Sequence, residues 1–158
     1  MNIFKMLFNS NIQRVLSRTA LMHMPNIGAN EKVLNVLWNI FNSGKNCVIS
    51  FKDSRRDGET TNLIAYALSY IQICNKRVIF VVQSVLIAEQ LQRTIGNIDF
   101  LTFMTPDKFD VAIRGRNDVG LVIVDSQVVN VSKIIEHSKV VPNTQFVIST
   151  DETNIRYI

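Results

Sequence analysis

Five short runs of this chain are apolar on consecutive positions, and the stretches between most of them repeat their apolar residues at helical spacing. The runs are Cys47–Phe51, Arg77–Val82, Asp99–Met104, Gly120–Asp125 and Thr144–Ser149. Strands that are apolar on both faces belong in a sheet covered on both sides. The intervening pattern supplies the cover. Leu34, Leu37, Trp38 and Phe41 follow the i, i+3, i+4, i+7 rule, with Asn30 placed as an N-cap and Gly44 at the end. Ile64, Leu68 and Ile71 line one face of a helix over 60–74, and Ile87, Leu91 and Ile95 do so over 86–95. A shorter helix is predicted over Val131–Ser138. Strands alternating with helices predict an α/β domain of three layers, with a mainly parallel sheet of about five strands and helices on both faces. The strand Cys47–Phe51 is expected centrally, beside Gly120–Asp125.

The first thirty residues follow another pattern. They hold Lys5, Arg14 and Arg18 and no acid, with Phe4, Phe8, Ile12, Val15 and Leu16 at helical spacing. We read residues 1–26 as a basic amphipathic segment peripheral to an α/β domain over 27–158. A helix docked on the domain or on a partner is one reading of it, and an organelle transit peptide is the other.

Composition narrows the class without naming a function. A 158-residue chain, 47% of it apolar, suffices for one domain with a core. A net charge of +4 mildly favours an anionic partner. Cys47 and Cys74 lie apart in apolar runs, which predicts buried free thiols in a reducing, intracellular compartment. His23 and His137 have no cysteine or carboxylate at ligand spacing, so no zinc site is expected. No apolar run approaches the roughly 18 residues that a membrane span needs.

The chemistry concentrates in the loop after the first strand, SFKDSRRDGETTN. A phosphate loop joins a buried strand to a helix so that backbone N–H groups and the helix N-terminus face the anion. Gly58 sits where the frame G-x-x-x-x-G-K-[ST] puts its last glycine, and Thr60 and Thr61 sit where a hydroxyl meets Mg2+. Asp53 replaces the first glycine and Glu59 the lysine. At about 5 Å and an effective dielectric near 20, one unit charge pair is worth roughly 3 kcal/mol. Exchanging attraction for repulsion therefore costs several such kcal/mol before screening. Arg55 and Arg56 offset part of this, since guanidinium binds phosphate well. As a plain loop, DSRRDGE is a charged, solvated turn.

The order of the remaining motifs resembles the ATPase domain of viral and phage terminase large subunits, DNA-packaging motors within the helicase-like P-loop NTPases. The stretch from Ser54 to Thr61, SRRDGETT, is similar to that family's S-R-x-x-G-K-T-T loop. In IRGRNDVGLVIVDSQ, Arg114, Gly115 and Asp125 match its arginine–glycine segment and second nucleotide motif, with Ser126 in place of the catalytic glutamate. FVISTDET resembles the strand whose small hydroxyl residues, here Ser149 and Thr150, couple nucleotide state to movement. VIFVVQSVLIAEQLQ and FMTPDKF are similar to further helicase-group motifs. The resemblance covers about Ile27 to Thr153. It implies a RecA-like fold, nucleotide contacts from Arg55, Arg56, Gly58, Glu59, Thr60, Thr61 and Asp125, and a Mg2+ site at Thr60 and Asp125. It also implies a viral origin, and DNA or packaging proteins as partners. The nuclease domain that follows in terminases is not expected in this chain.

The departures set the expected function. Ser126 is no general base at neutral pH, and positioning plus charge stabilisation do nearly all the work of phosphoryl transfer. We expect a packaging-motor-like domain impaired in hydrolysis, holding ATP and Mg2+ weakly or no longer at all, with no assigned catalytic residue. Two alternatives stay open. One is an active translocating ATPase that takes its cation from Lys52, Arg55 or Arg56 and its base from Glu152 or a neighbouring subunit. The other is an α/β interaction module without nucleotide. Arg114 and Arg116 are expected with Lys52, Arg55 and Arg56 at the ligand-binding end of the sheet.

Overall fold

The computed structural model describes residues 39–50, 59–125, 128, 131–141, 143–150 and 156–157. Parallel strands β1 (Cys47–Ser50), β2 (Arg77–Val81), β3 (Leu101–Met104), β4 (Val119–Val124) and β5 (Gln145–Thr150) alternate with helices α1 (Glu59–Cys74), α2 (Val85–Ile95), α3 (Pro106–Ala112) and α4 (Ser132–Val140). A two-residue strand, β6 (Arg156–Tyr157), pairs antiparallel with β1. The sheet order is β3-β2-β4-β5-β1-β6.

Each connection from β1 to β3 steps in one direction across the sheet, and each from β3 to β5 steps back. Right-handed crossovers therefore place α1 and α2 on one face and α3 and α4 on the other. The two cores show this division. On the first face Leu63, Ile64 and Ala67 of α1 pack against Val78, Phe80, Leu121, Ile123 and Val147. On the second, Phe109 of α3 and Ile134 of α4 pack against Ile79, Val81, Val122, Val124, Phe146 and Ile148. All six residues of β4 are buried. Each large side chain so buried contributes about 1.5–3 kcal/mol relative to exposure. The predicted three-layer α/β architecture is the observed one.

Three details differ from the sequence reading. β1 does not neighbour β4, because β5 lies between them, pairing with β4 through Val124–Ile148 and with β1 through Val48–Ile148. Among the parallel strands β1 is thus at the side, not the centre. Equal apolarity in five strands carries no information about their order. The nine-residue α4 is a short connection, which favours the slot next to its own strand, and β5 takes it. Helix α3 also escaped the periodicity, since Phe109 is the only buried residue among its seven. Its start is local chemistry: Thr105 is the N-cap residue and Pro106 opens the first turn. Finally, β3 begins at Leu101 because Asp99 and Phe100 form a turn, with Phe100 at φ +70°.

The N-terminal helix predicted to end near Gly44 is seen in its last turn, residues 39–43. Gly44 adopts φ +64° and its N–H bonds the Ile40 carbonyl, the left-handed stop that glycine makes without strain. The segment 1–26 lies outside the described residues. Among the described residues no helix is long and apolar enough to cross a membrane.

Candidate functional site

All five parallel strands point their carboxyl ends to one edge, and the helices α1 to α4 begin there. Ligands of open α/β sheets bind outside that edge, where strand order reverses. Here the reversal falls between β2, whose connection leads outward to β3, and β4, whose connection leads back to β5.

Asp125 stands at this point. It directly follows β4, and its N–H still bonds the Val81 carbonyl of β2 at 3.0 Å, so it continues the ladder for one residue. Its own carbonyl accepts from Val128 N–H at 3.1 Å, which turns the chain. Val124 faces the α3–α4 core, so alternation turns Asp125 to the α1 face. Ser149 shares that face. It pairs in register with Ile49, which packs in the α1 core. Because Val124 is level with Ile148, Asp125 is level with Ser149 on the adjacent strand. Both are buried, at 5% and 3% exposure, in a row otherwise filled by Ile49 and Val82. They are the two polar side chains of that row, set at the end of an otherwise apolar sheet face.

Helix α1 lies over β4 and β2 on this same face. Its sixteen residues start at Glu59, so its positive end is at the edge where Asp125 and Ser149 sit. Thr60, in the first turn, is half-buried. The structure therefore brings together, at one edge and on one face, the α1 start with Thr60, Asp125 and Ser149. Thr61 and Thr150 fall in α1 and β5 as expected. Arg55, Arg56 and Gly58 lie outside the described residues, as do Lys52, Ser126 and Glu152.

Arg114 and Arg116 are not part of this edge. Helix α3 carries the chain back across the sheet, so the turn over 113–118 that precedes β4 lies at the amino edge. Arg114 pairs with Asp110 one helical turn earlier at 2.9 Å, and Gly115 (φ +71°) closes the turn. Arg116 and Arg77 both approach Asp118, at 4.0 and 3.3 Å. Nearness in sequence to Asp125 suggested a shared site. The six-residue length of β4 separates them instead.

Sequence reasoning also missed Ser84, whose hydroxyl accepts from Ile87 N–H and caps α2 at the carboxyl edge. The Ser-x-x-Ile spacing before a helical run was the available signal. The thiols have no site of their own. Burial pushes Cys47 up to about 12, leaving it neutral and inert, while Cys74 is half-buried.

No protein family, no curated protein and no solved structure matches this chain.

Proposed function

We propose that this chain is a degenerate packaging-motor-like ATPase domain, impaired in hydrolysis, that acts through DNA or a protein partner. One observation carries the reading. Asp125 and Ser149 are buried side by side at the carboxyl edge and turned to the helix that begins at Glu59. A nucleotide edge uses such a convergence of a carboxylate, a hydroxyl and a helix start.

The residues fit Mg-ATP in part. Mg2+ is usually held by one or two carboxylates with water and phosphate oxygens, not by an all-protein cage. Asp125 and the Thr60 hydroxyl would hold it in that manner, and among the described residues no group of three or more His, Cys, Asp or Glu forms a cage. The metal would supply charge neutralisation at the phosphates. The N-terminal N–H groups of α1 would face the phosphates, as helix starts do. Glu59 opposes them. An acid in the first turn stabilises a helix by about 0.3–1 kcal/mol through the positive helix end, so the chain's own carboxylate competes with phosphate there. Ser126 contributes no base. Impairment thus follows from both positions.

The test is phosphate release from Mg-ATP by the native protein and by Glu59→Lys combined with Ser126→Glu. The native protein should hydrolyse no faster than background, and the double variant should exceed either single change. Turnover by the native protein would favour the active motor. No gain in any variant would favour the interaction module.

A further inference from the structure

A cavity of about 580 Å3 opens at the amino edge of the sheet, across the molecule from Asp125, between the C-terminal ends of α1 and α4 and the loop before β1. Pockets of this volume hold small molecules. We propose that it is a binding site for a small aromatic carboxylate, distinct from the carboxyl-edge site.

Its frame is fixed by bonds within the protein. Gln145 donates to the carbonyls of Ile40 and Lys45 at 3.0 and 2.9 Å and accepts from the buried Tyr66 hydroxyl at 2.8 Å. Asn46 accepts from Phe146 N–H at 2.8 Å and donates to the Ser138 carbonyl. Thr144 donates to the Val119 carbonyl at 2.7 Å. These groups hold the walls and leave little of their own capacity for a guest. The walls are therefore set before any ligand arrives, which lowers the cost of binding.

What the cavity offers a guest has one sign and one shape. Phe41 and Tyr70 meet edge to face at 6.1 Å and supply an angled aromatic wall. Among the described residues that line the cavity, Lys45 is the only charged one and none is acidic. Among the described residues the Lys45 ammonium has no ion pair or side-chain hydrogen bond. The stem of Lys76 lies against Gly120 on the floor, and Lys76 likewise has no acidic partner among the described residues. Gly120 is required there, because a Cβ would collide with the Tyr70 hydroxyl. An apolar ring bearing a negative charge satisfies both features, and a cation satisfies neither.

Benzoate is the probe and benzylamine the control of opposite charge. Cys74 lines the cavity and reports occupancy through its alkylation by iodoacetamide, followed on its peptide by mass spectrometry in the full-length protein. At about ten times its Kd, benzoate should slow that reaction about tenfold by simple occupancy. Benzylamine should not slow it, and Lys45→Met should abolish the protection while keeping the native melting temperature. Benzoate should also shift the amide resonances of Gly44 and Gly120, which does not depend on thiol reactivity. Equal protection by both probes, protection that survives Lys45→Met, or no shift at these glycines overturns the assignment.

Discussion

In the proposed reading, Glu59 and Asp125 are two carboxylates with opposite relations to a nucleotide. Asp125 is buried after β4 on the α1 face, where that reading puts a metal ligand. Glu59 opens α1, where the same reading puts a phosphate. If a Glu59→Lys variant binds Mg-ATP, adding Asp125→Asn should remove the Mg2+ dependence of that affinity while metal-free binding stays unchanged. Titrations with and without Mg2+ check this, and an unchanged Mg2+ dependence would place the metal elsewhere. Single residues of the core are simpler. Phe109 is fully buried, edge to face with His137 and Phe146. Phe109→Ala should cost about 3–5 kcal/mol in denaturant unfolding. A loss below about 1 kcal/mol would mean that α3 is not anchored by it.

Elements were legible to the extent that they repeat. The five parallel strands and helices α1, α2 and α4 came from runs and periodicity, within a residue or two at most ends. Helix α3 has too few buried positions for a period to exist, and β6 has two residues in all. The order of strands depends on which slot each crossover reaches, which apolarity does not encode, so β5 between β4 and β1 was unforeseen. The candidate edge was legible because loops after parallel strands share one end, and the same rule, applied without α3, misplaced Arg114 and Arg116. On the α3–α4 face the joint is polar. His137 Nε2 and Asp110 Oδ1 are 2.7 Å apart, and Arg114 holds the other carboxylate oxygen. The hydrogen bond to His137, with help from Arg114, holds Asp110 below its ordinary value of 3.8. A depressed carboxylate stabilises the fold above its unfolded value, and that stability is lost as pH falls through the folded one. Asp110→Asn should therefore lower the melting temperature at neutral pH and flatten its decline below about pH 4. Parallel acid profiles of the two proteins would contradict the pairing.

Across the whole molecule, charge and burial set the pH range of the fold from the alkaline side too. Burial raises Cys47 from 9.0 to about 12 and Tyr70 from 10.0 to about 12, and it raises Tyr66 well above its ordinary value. Between pH 9.0 and about 12 the unfolded Cys47 thiol gives up its proton while the folded one keeps it, so stability falls as pH rises. The melting temperature should drop across that window, and less steeply in Cys47→Ala once its cavity cost is subtracted. The Gln145 bonds to Ile40 and Lys45 make the turn over 39–44 part of the domain. Deleting residues 1–26 should leave a cooperative melt, whereas deleting through Gly44 should abolish it. Loss of folding with the shorter deletion would put that segment in the core.

On the proposed reading the carboxyl edge keeps the layout of a nucleotide site, and the chain's own Glu59 opposes phosphate there. Calorimetric titration of the full chain with Mg-ATP, native against Glu59→Lys, tests it most directly. The native protein should bind very weakly, and Glu59→Lys should gain at least about tenfold, which needs only about 1.4 kcal/mol. Tight binding by the native protein, or no gain from the lysine, would contradict it.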